Sequence, residues 1–341
     1  MNLKFSLIIC TYQRPDAIMK LMETVGCQSR YMDEIIIVDG STDNETSVLF
    51  RAGGERSRTE SKIPNLQYYK VLKEHRGLTK QRNYGIDRVT EDIDIVCFLD
   101  DDVILQPDYF QKLLETYKKH PEAIGVGGYI TNEVTWEPSK KNNPADLHHF
   151  YFDGYRRRES SRYKLRRKLG LIQKTAPGNY PAFGHGRSIS FFPPSGKIYE
   201  VNHLMGGVSS FPKYILDKHK FSEYFEGYGL YEDAHFTLGL SKIGKLYVNT
   251  AAQLEHHHNP QGRPNLYHYG IMVTRNGWFV WHTFNPSPTF KETTKWWLIS
   301  ILLTAIRFLN IFTTKDAAGS FREFLGRTVG LFSLLFNKPK E

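Results

Sequence analysis

The sequence predicts an α/β fold: a mainly parallel sheet with helices on both faces, followed by C-terminal amphipathic helices. Three observations point there. Short apolar, β-branched runs recur through the first part of the chain. Stretches with apolar residues at helical spacing lie between them. Polar or acidic groups follow the runs directly, as ligand-binding side chains do at the carboxyl ends of parallel strands.

In order, Phe5–Cys10 reads as a strand, and Asp16–Cys27 as a helix through Ile18, Leu21, Met22 and Val25. Glu34–Val38 is a β-branched run closed by Asp39-Gly40-Ser41, and Leu66–Leu72 is strand-like. A helix over Leu78–Val89, a buried strand over Ile93–Leu99, a helix over Asp108–Lys119 and a strand over Ile124–Tyr129 complete the series. Thr11, Asp39 and Asp100–Asp102 then fall at strand ends and should converge on one crevice. Residues 131–200 combine proline, asparagine, glycine, aromatics and basic groups with little periodicity, and read as a long, partly mobile excursion over that crevice. The pattern resumes at Gly206–Phe211, with a helix from Pro212, another over Tyr231–Ile243 and a strand over Lys245–Val248.

The tail differs. Trp296–Phe312 is mostly apolar, with Ser300, Thr304, Arg307 and Asn310 in one polar stripe, and Phe321, Phe324, Leu325, Phe332 and Leu335 mark a second amphipathic helix. A membrane span needs about 20 apolar residues, and Arg307 would lie deep inside one. Two readings stay open: helices in a membrane interface with Trp296 and Trp297 at headgroup depth, or helices packed on the larger domain. The expected division is a main domain over 1–290 and a helical segment over 291–341.

Of the 341 residues, 40% are apolar and 14% aromatic, enough for a substantial core, which excludes wholesale disorder. The formal charge of +9 asks for an anionic partner, and Arg156, Arg157, Arg158, Arg162, Lys164, Arg166, Arg167 and Lys168 cluster opposite Glu159 alone. Cys10, Cys27 and Cys97 show no CxxC pairing, which fits a reducing compartment without a disulfide framework or a zinc site. The opening MNLKFSLIICTYQRP reads as a first strand, not a secretion signal.

Four stretches carry chemistry. In FLDDDV, Asp100, Asp101 and Asp102 are like charges that resist ionising together, unless solvent screens them or a hard divalent cation neutralises them. In LYEDAHF, Glu232 and Asp233 open a helix, where the macrodipole alone would favour acids. LEHHHNP offers His256, His257 and His258 as metal or phosphate partners, and RGLTKQRN places Arg76, Lys80 and Arg82 near a helix start.

Their order is more specific than any one of them. ICTYQRP, IIIVDGSTDN, RGLTKQRN, FLDDDV, GGVSSF, GYGLYEDAHF with SKIGKL, and HHHNP resemble, over roughly residues 3–285, the inverting nucleotide-sugar glycosyltransferases of family 2, which have the Rossmann-like GT-A fold. The resemblance implies that Thr11, Tyr12 and Arg14 line the nucleotide pocket. It implies that Asp39 accepts a hydrogen bond from the base, that Arg82 lies near the base or diphosphate, and that Asp100 and Asp101 face the ribose and sugar. Asp102 would hold a divalent cation, Mn²⁺ or Mg²⁺, with His256 as a further ligand and His258 in reserve; the triplet leaves Asp101 and Asp102 as competing ligands. Asp233, beside Glu232, would be the base. Family habit points to uracil, with guanine and thymine open.

The implied partners are a nucleotide-sugar donor, a saccharide or lipid-linked saccharide acceptor on the side of 131–200, and a membrane touched peripherally from its cytoplasmic, inner face. Nucleic acid is not expected, because a nucleic-acid binder would not need the ordered carboxylates. The competing readings are a non-catalytic sugar- or nucleotide-binding relative and a nucleotidyltransferase. The latter would place a glycine-rich phosphate loop where CTYQRPD stands.

Overall fold

A computed structural model describes residues 3–51, 65–140, 146–225, 227–258 and 264–340, with no description of the Arg51 side chain. Asn259 and Pro260, which end the histidine motif, lie outside these residues. The chain divides into two compact units, Met1–Thr135 with Pro194–Gly262, and Trp136–Pro193 with Arg263–Glu341.

The first unit opens with β1 (Phe5–Thr11), α1 (Pro15–Val25), β2 (Glu34–Asp39), α2 (Glu45–Arg51), β3 (Leu66–Lys70) and α3 (Leu78–Ile86). It continues through β4 (Ile95–Asp100), β5 (Val103–Leu105), α4 (Tyr109–Lys119) and β6 (Ala123–Ile130). The second unit begins with β7 (Glu137–Pro138), β8 (His149–Phe152), β9 (Tyr155–Arg158) and α5 (Ser161–Lys168). The chain then returns to the first unit for β10 (Ile198–Val201), β11 (Val208–Pro212), α6 (Lys213–Lys218), α7 (Glu232–Leu240) and β12 (Lys245–His256). It ends in the second unit with α8 (Leu266–Phe284), α9 (Phe290–Thr313) and α10 (Ala317–Ser333).

Among the described residues of the first unit, nine strands form one sheet in the order β10-β12-β6-β11-β4-β1-β2-β3, with β5 on β12. The half made of β4, β1, β2 and β3 is parallel, as the alternation of strand and helix requires, and β11 enters antiparallel between β4 and β6. Both faces are covered. Phe5, Leu7 and Ile9 of β1 join a core with Ile18 and Leu21 of α1 and Phe110 and Leu113 of α4. Ile8 points the other way, onto Gly85 of α3, where a Cβ would come within 2.8 Å of it. All six residues of β2 are buried, and each such aliphatic side chain contributes roughly 1.5–3 kcal/mol relative to exposure.

In the second unit, β7, β9 and β8 form an antiparallel sheet, and α5 follows. Regular structure therefore occupies part of the stretch expected to be irregular. Its strands are two to four residues long, too short for a period to register. Arg166 of the basic cluster is buried and donates through Nε to the Leu171 carbonyl at 3.0 Å, and a further arginine outside the cluster is buried as well. Arg187 pairs with Glu159, both buried, and its guanidinium lies 4.2 Å from the ring centroids of Phe150 and Tyr163.

α9 begins earlier than its apolar run. Thr289 caps the backbone of Glu292, and the Glu292 side chain accepts in return from Thr289, so the capping box starts the helix at a polar turn. Trp278, Trp281, Trp296 and Leu334 close a small aromatic core in this unit. Trp281 Nε1 donates to the Ala182 carbonyl at 2.7 Å, joining the unit's two chain segments.

Candidate active site

The carboxyl ends of β1, β2 and β4 bring Thr11, Asp39 and Asp100 onto one edge, because Cys10 stands opposite Asp100 and Thr11 opposite Asp39 in parallel register. Gln81 of α3, buried, fixes two of these ends by donating to the carbonyls of Val38 at 2.8 Å and Thr11 at 3.1 Å.

The three aspartates separate into different environments. Asp101 is 3% exposed; one oxygen accepts from Thr11 Oγ1 at 2.7 Å and the other lies 2.9 Å from Arg14 Nη1. Burial raises its pKa to about 6 in spite of Arg14 and Thr11. Asp101, expected to face ribose and sugar, stands in a network with Thr11 and Arg14. Asp102 is held by Arg14 at 3.4 Å and by His256 Nε2 at 3.0 Å. Asp100 keeps a partly exposed side chain, with Arg82 3.6 Å away.

His256 reaches Asp102 through strand pairing: β5, directly after the triplet, runs antiparallel to the end of β12, so Val103 stands opposite His256. Ligand atoms of Asp100, Asp102 and His256 lie within 4.8 Å of one another. Burial opposes charge on His256, but the hydrogen bond to Asp102 and the charges of Asp100, Asp102 and Glu133 raise its pKa overall. His258, with φ of 42°, turns to Glu133 at 3.0 Å, and Glu133, His256 and His258 form a second such group. His257 lies beside Glu255, away from this group.

Arg82 is buried and donates to Glu232, while its guanidinium lies 5.2 Å from the Phe221 ring centroid. Burial and the neighbouring Asp233 push Glu232 up to about 8, with Arg82 acting against them. Asp233 is half-buried; its oxygens accept from the N–H groups of Gly206 at 3.1 Å and Ala234 at 2.7 Å. Tyr231, just before the pair, has φ of 73°, a left-handed conformation uncommon for an aromatic residue and frequent where function fixes the backbone. Asp39 is fully buried, accepting from the Ser41 N–H at 2.8 Å and from the Tyr68 hydroxyl. Tyr12 is exposed.

Three participants carried no role in the sequence reading. Gly206 and Gly207 admit the site: a Cβ on Gly206 would meet Arg82 and Glu232 at 2.6 Å, and one on Gly207 would lie 2.0 Å from an Asp100 oxygen. The paired glycine ahead of a strand was their signal: both open GGVSSF, a motif of the series in which neither residue carried a role. Glu133 lies beyond β6, a single acid with no local pattern.

The model of the family Glycosyl transferase family 2 matches residues 6–184. A glucosyl-dolichyl phosphate glucuronosyltransferase of Haloferax volcanii is 27% identical over 133 residues, 38% of each chain. An uncharacterized glycosyltransferase of Haemophilus influenzae is 33% identical over 131 residues, 38% of this chain and 45% of that one. The chain thus spans less than half the length of either relative. Among solved structures, GalNAc-T7 with UDP, GalNAc and Mn²⁺ matches with a TM-score of 0.50 at 13% identity, over 80% of this chain and 48% of that one. The likeness is one of fold.

Proposed function

The chain belongs to glycosyl transferase family 2, and from that membership we propose an inverting transfer of a sugar from a nucleoside-diphosphate donor, a uridine diphosphate sugar, to a glycan or lipid-linked saccharide. The observation that carries this reading is the grouping of Asp100, Asp102 and His256 at the end of β4, in the same unit as the Arg82–Glu232 pair and Asp233.

Two carboxylates and one imidazole nitrogen fit a hard divalent cation, Mn²⁺ or Mg²⁺, and Asp102 with His256 are its proposed ligands. His258 is turned to Glu133 and stays in reserve. Such an ion supplies positive charge at a diphosphate leaving group. Asp101, closed off by Thr11 and Arg14, is assigned to positioning: it holds both residues at the nucleotide's edge of the sheet. Asp100, the partly exposed member, is the aspartate proposed to meet ribose or sugar.

Asp39 is the proposed acceptor from the base, and a nucleotide reaches it by displacing the Tyr68 hydroxyl. Arg82 keeps its proposed place near the base or diphosphate, 3.6 Å from Asp100 and hydrogen-bonded to Glu232. Asp233 is the proposed base: it takes the acceptor hydroxyl's proton while that oxygen attacks the anomeric carbon opposite the leaving diphosphate. One displacement inverts the centre, and no covalent nucleophile is needed.

The Haloferax relative's name contains a lipid phosphate, dolichyl phosphate. It supports a lipid-linked acceptor here, and we propose that this acceptor is met from the cytoplasmic face of a membrane. Calorimetric titration with UDP, GDP and dTDP, with and without Mn²⁺, tests the donor reading. UDP should bind in a Mn²⁺-dependent manner, and Asp102→Asn should lose that dependence. Absence of binding by all three nucleotides would overturn it. Asp233→Asn should keep UDP binding while kcat falls by about 10²–10⁴.

A further inference from the structure

The second unit wears α9 inside out. Leu298, Ile301, Phe308, Leu309 and Phe312 are exposed, while the polar stripe faces inward: Ser300 and Thr304 are buried and Arg307 Nε lies 3.0 Å from buried Glu323 of α10. His185 of the same unit closes the stripe, its Nε2 3.0 Å from Ser300 Oγ. A helix of a water-soluble unit turns its apolar face to the core and its polar face out. Apart from Trp296 and Ile299, which are buried, the order is reversed here, and α10 continues it, exposing Phe321, Leu325, Val329 and Phe332.

The α8–α10 contact is built from glycine. A Cβ on Gly326 would come within 2.0 Å of the Tyr267 carbonyl, one on Gly330 within 2.0 Å of Thr274 Oγ1, and one on Gly270 within 2.4 Å of the Glu323 carbonyl. Gly326 and Gly330 are a GxxxG pair, the close-packing device of helices whose outer surface faces lipid.

Charge decides what covers the bare faces. The second unit carries 22 lysines and arginines against 8 carboxylates, a net of +14, whereas the first carries 23 against 28. Lys291 and Lys295 lie at one end of α9, Lys315 follows the other end, and Arg322 borders the apolar face of α10. A second copy of the unit would meet the same excess of positive charge and be repelled; an anionic bilayer would be attracted.

Length alone would let α9 cross a membrane: it has 24 residues at a mean hydropathy of 1.6. However, α8 is packed on α10 at backbone distance and carries His268, Arg275, Asn276 and His282, too polar a companion to be drawn through with it. We infer that the exposed faces of α9 and α10 form a docking surface for an anionic lipid bilayer, inserted shallowly at the interface, without crossing. This deepens the reading above by naming its membrane partner, and it rests on that reading only for what the lipid-borne acceptor would be.

The test is co-sedimentation of the full chain with vesicles of phosphatidylcholine alone or mixed with phosphatidylglycerol. Binding should be at least about tenfold stronger to the anionic vesicles and fall with salt. Leu309→Glu combined with Phe312→Glu should lower it about tenfold at unchanged tryptophan fluorescence. A chain that stays in the supernatant with both vesicles, or a double variant that binds like wild type, overturns the inference. So does a lipid-free dimer that the double variant converts to monomer. UDP titration on the same preparations separates the two readings: retained UDP binding with lost vesicle binding sinks the lipid surface alone, and the converse sinks the donor site alone.

Discussion

At Gly207 the space for a side chain is already filled by Asp100. A methyl group there would sit 2.0 Å from the carboxylate, but a carboxylate at the end of a rotatable bond can swing aside. Gly207→Ala should therefore cost little stability, on the order of 1 kcal/mol or less, and displace Asp100 from Asp102 and His256. The expected result is a small change in Tm with Mn²⁺-dependent UDP affinity reduced about tenfold or more; unaltered affinity would remove Asp100 from the site. Glu232 gives a second prediction. The folded chain keeps it protonated up to about 8, while the unfolded chain releases the proton near the ordinary 4.5. Between those values the unfolded state binds fewer protons, so this group makes stability fall as pH rises. Glu232→Gln should flatten the decline in Tm over that window. Equal slopes for variant and wild type would show that the Arg82 pair keeps Glu232 ionised throughout.

Helices and strands differ in how plainly the sequence announces them. α1, α4 and the strands β1, β2 and β4 follow from local runs, and each structural boundary falls close to its apolar pattern. The site residues on those strand ends were legible for the same reason: a polar residue after an apolar run can be read one element at a time. What could not be read is pairing. His256 reaches Asp102 only because β12 extends to residue 256 against β5, whereas the apolar run ends at Val248. The polar stripe of α9 was visible, but its inward direction was not, since periodicity gives a face and not what lies against it. α10 makes an element-scale prediction that contrasts with Gly207. A Cβ on Gly326 would strike the Tyr267 backbone carbonyl, which has no bond to swing about. Gly326→Ala should part α10 from α8 and cost about 1–3 kcal/mol or more, seen in thermal unfolding followed by tryptophan fluorescence. A Tm equal to wild type would mean that the helices slide apart freely.

For the molecule as a whole, the second unit is discontinuous in sequence: Trp136–Pro193 completes itself with helices from the end of the chain. Ala182 accepts from Trp281 at 2.7 Å and Asn285 at 2.9 Å, Gly184 leaves room for Trp281 and Trp296, and His185 meets Ser300. None of these partners is local; within segment 136–193 residues 182–185 keep the Arg166 donation to the His185 carbonyl at 2.7 Å and the Gly184–Pro181 turn, so most of their side-chain anchoring comes from the C-terminal helices. A chain ending at residue 262 should keep the nine-stranded sheet, whose residues all precede that point, and lose the order of this segment. Arg187 reports the loss. It is 3% exposed and paired to Glu159, close in sequence to the anchored residues, so trypsin should spare it in the full chain and cut after it in the shortened one. Mass spectrometry of a timed digest reads this directly, with Lys174, already exposed, as the internal standard that both chains should share. Protection of Arg187 in both chains would mean that the Arg187–Glu159 pair and its aromatic rings hold the segment without the C-terminal helices. In that case the two segments of the second unit would be separable, and the docking helices an appendage, not half of a fold.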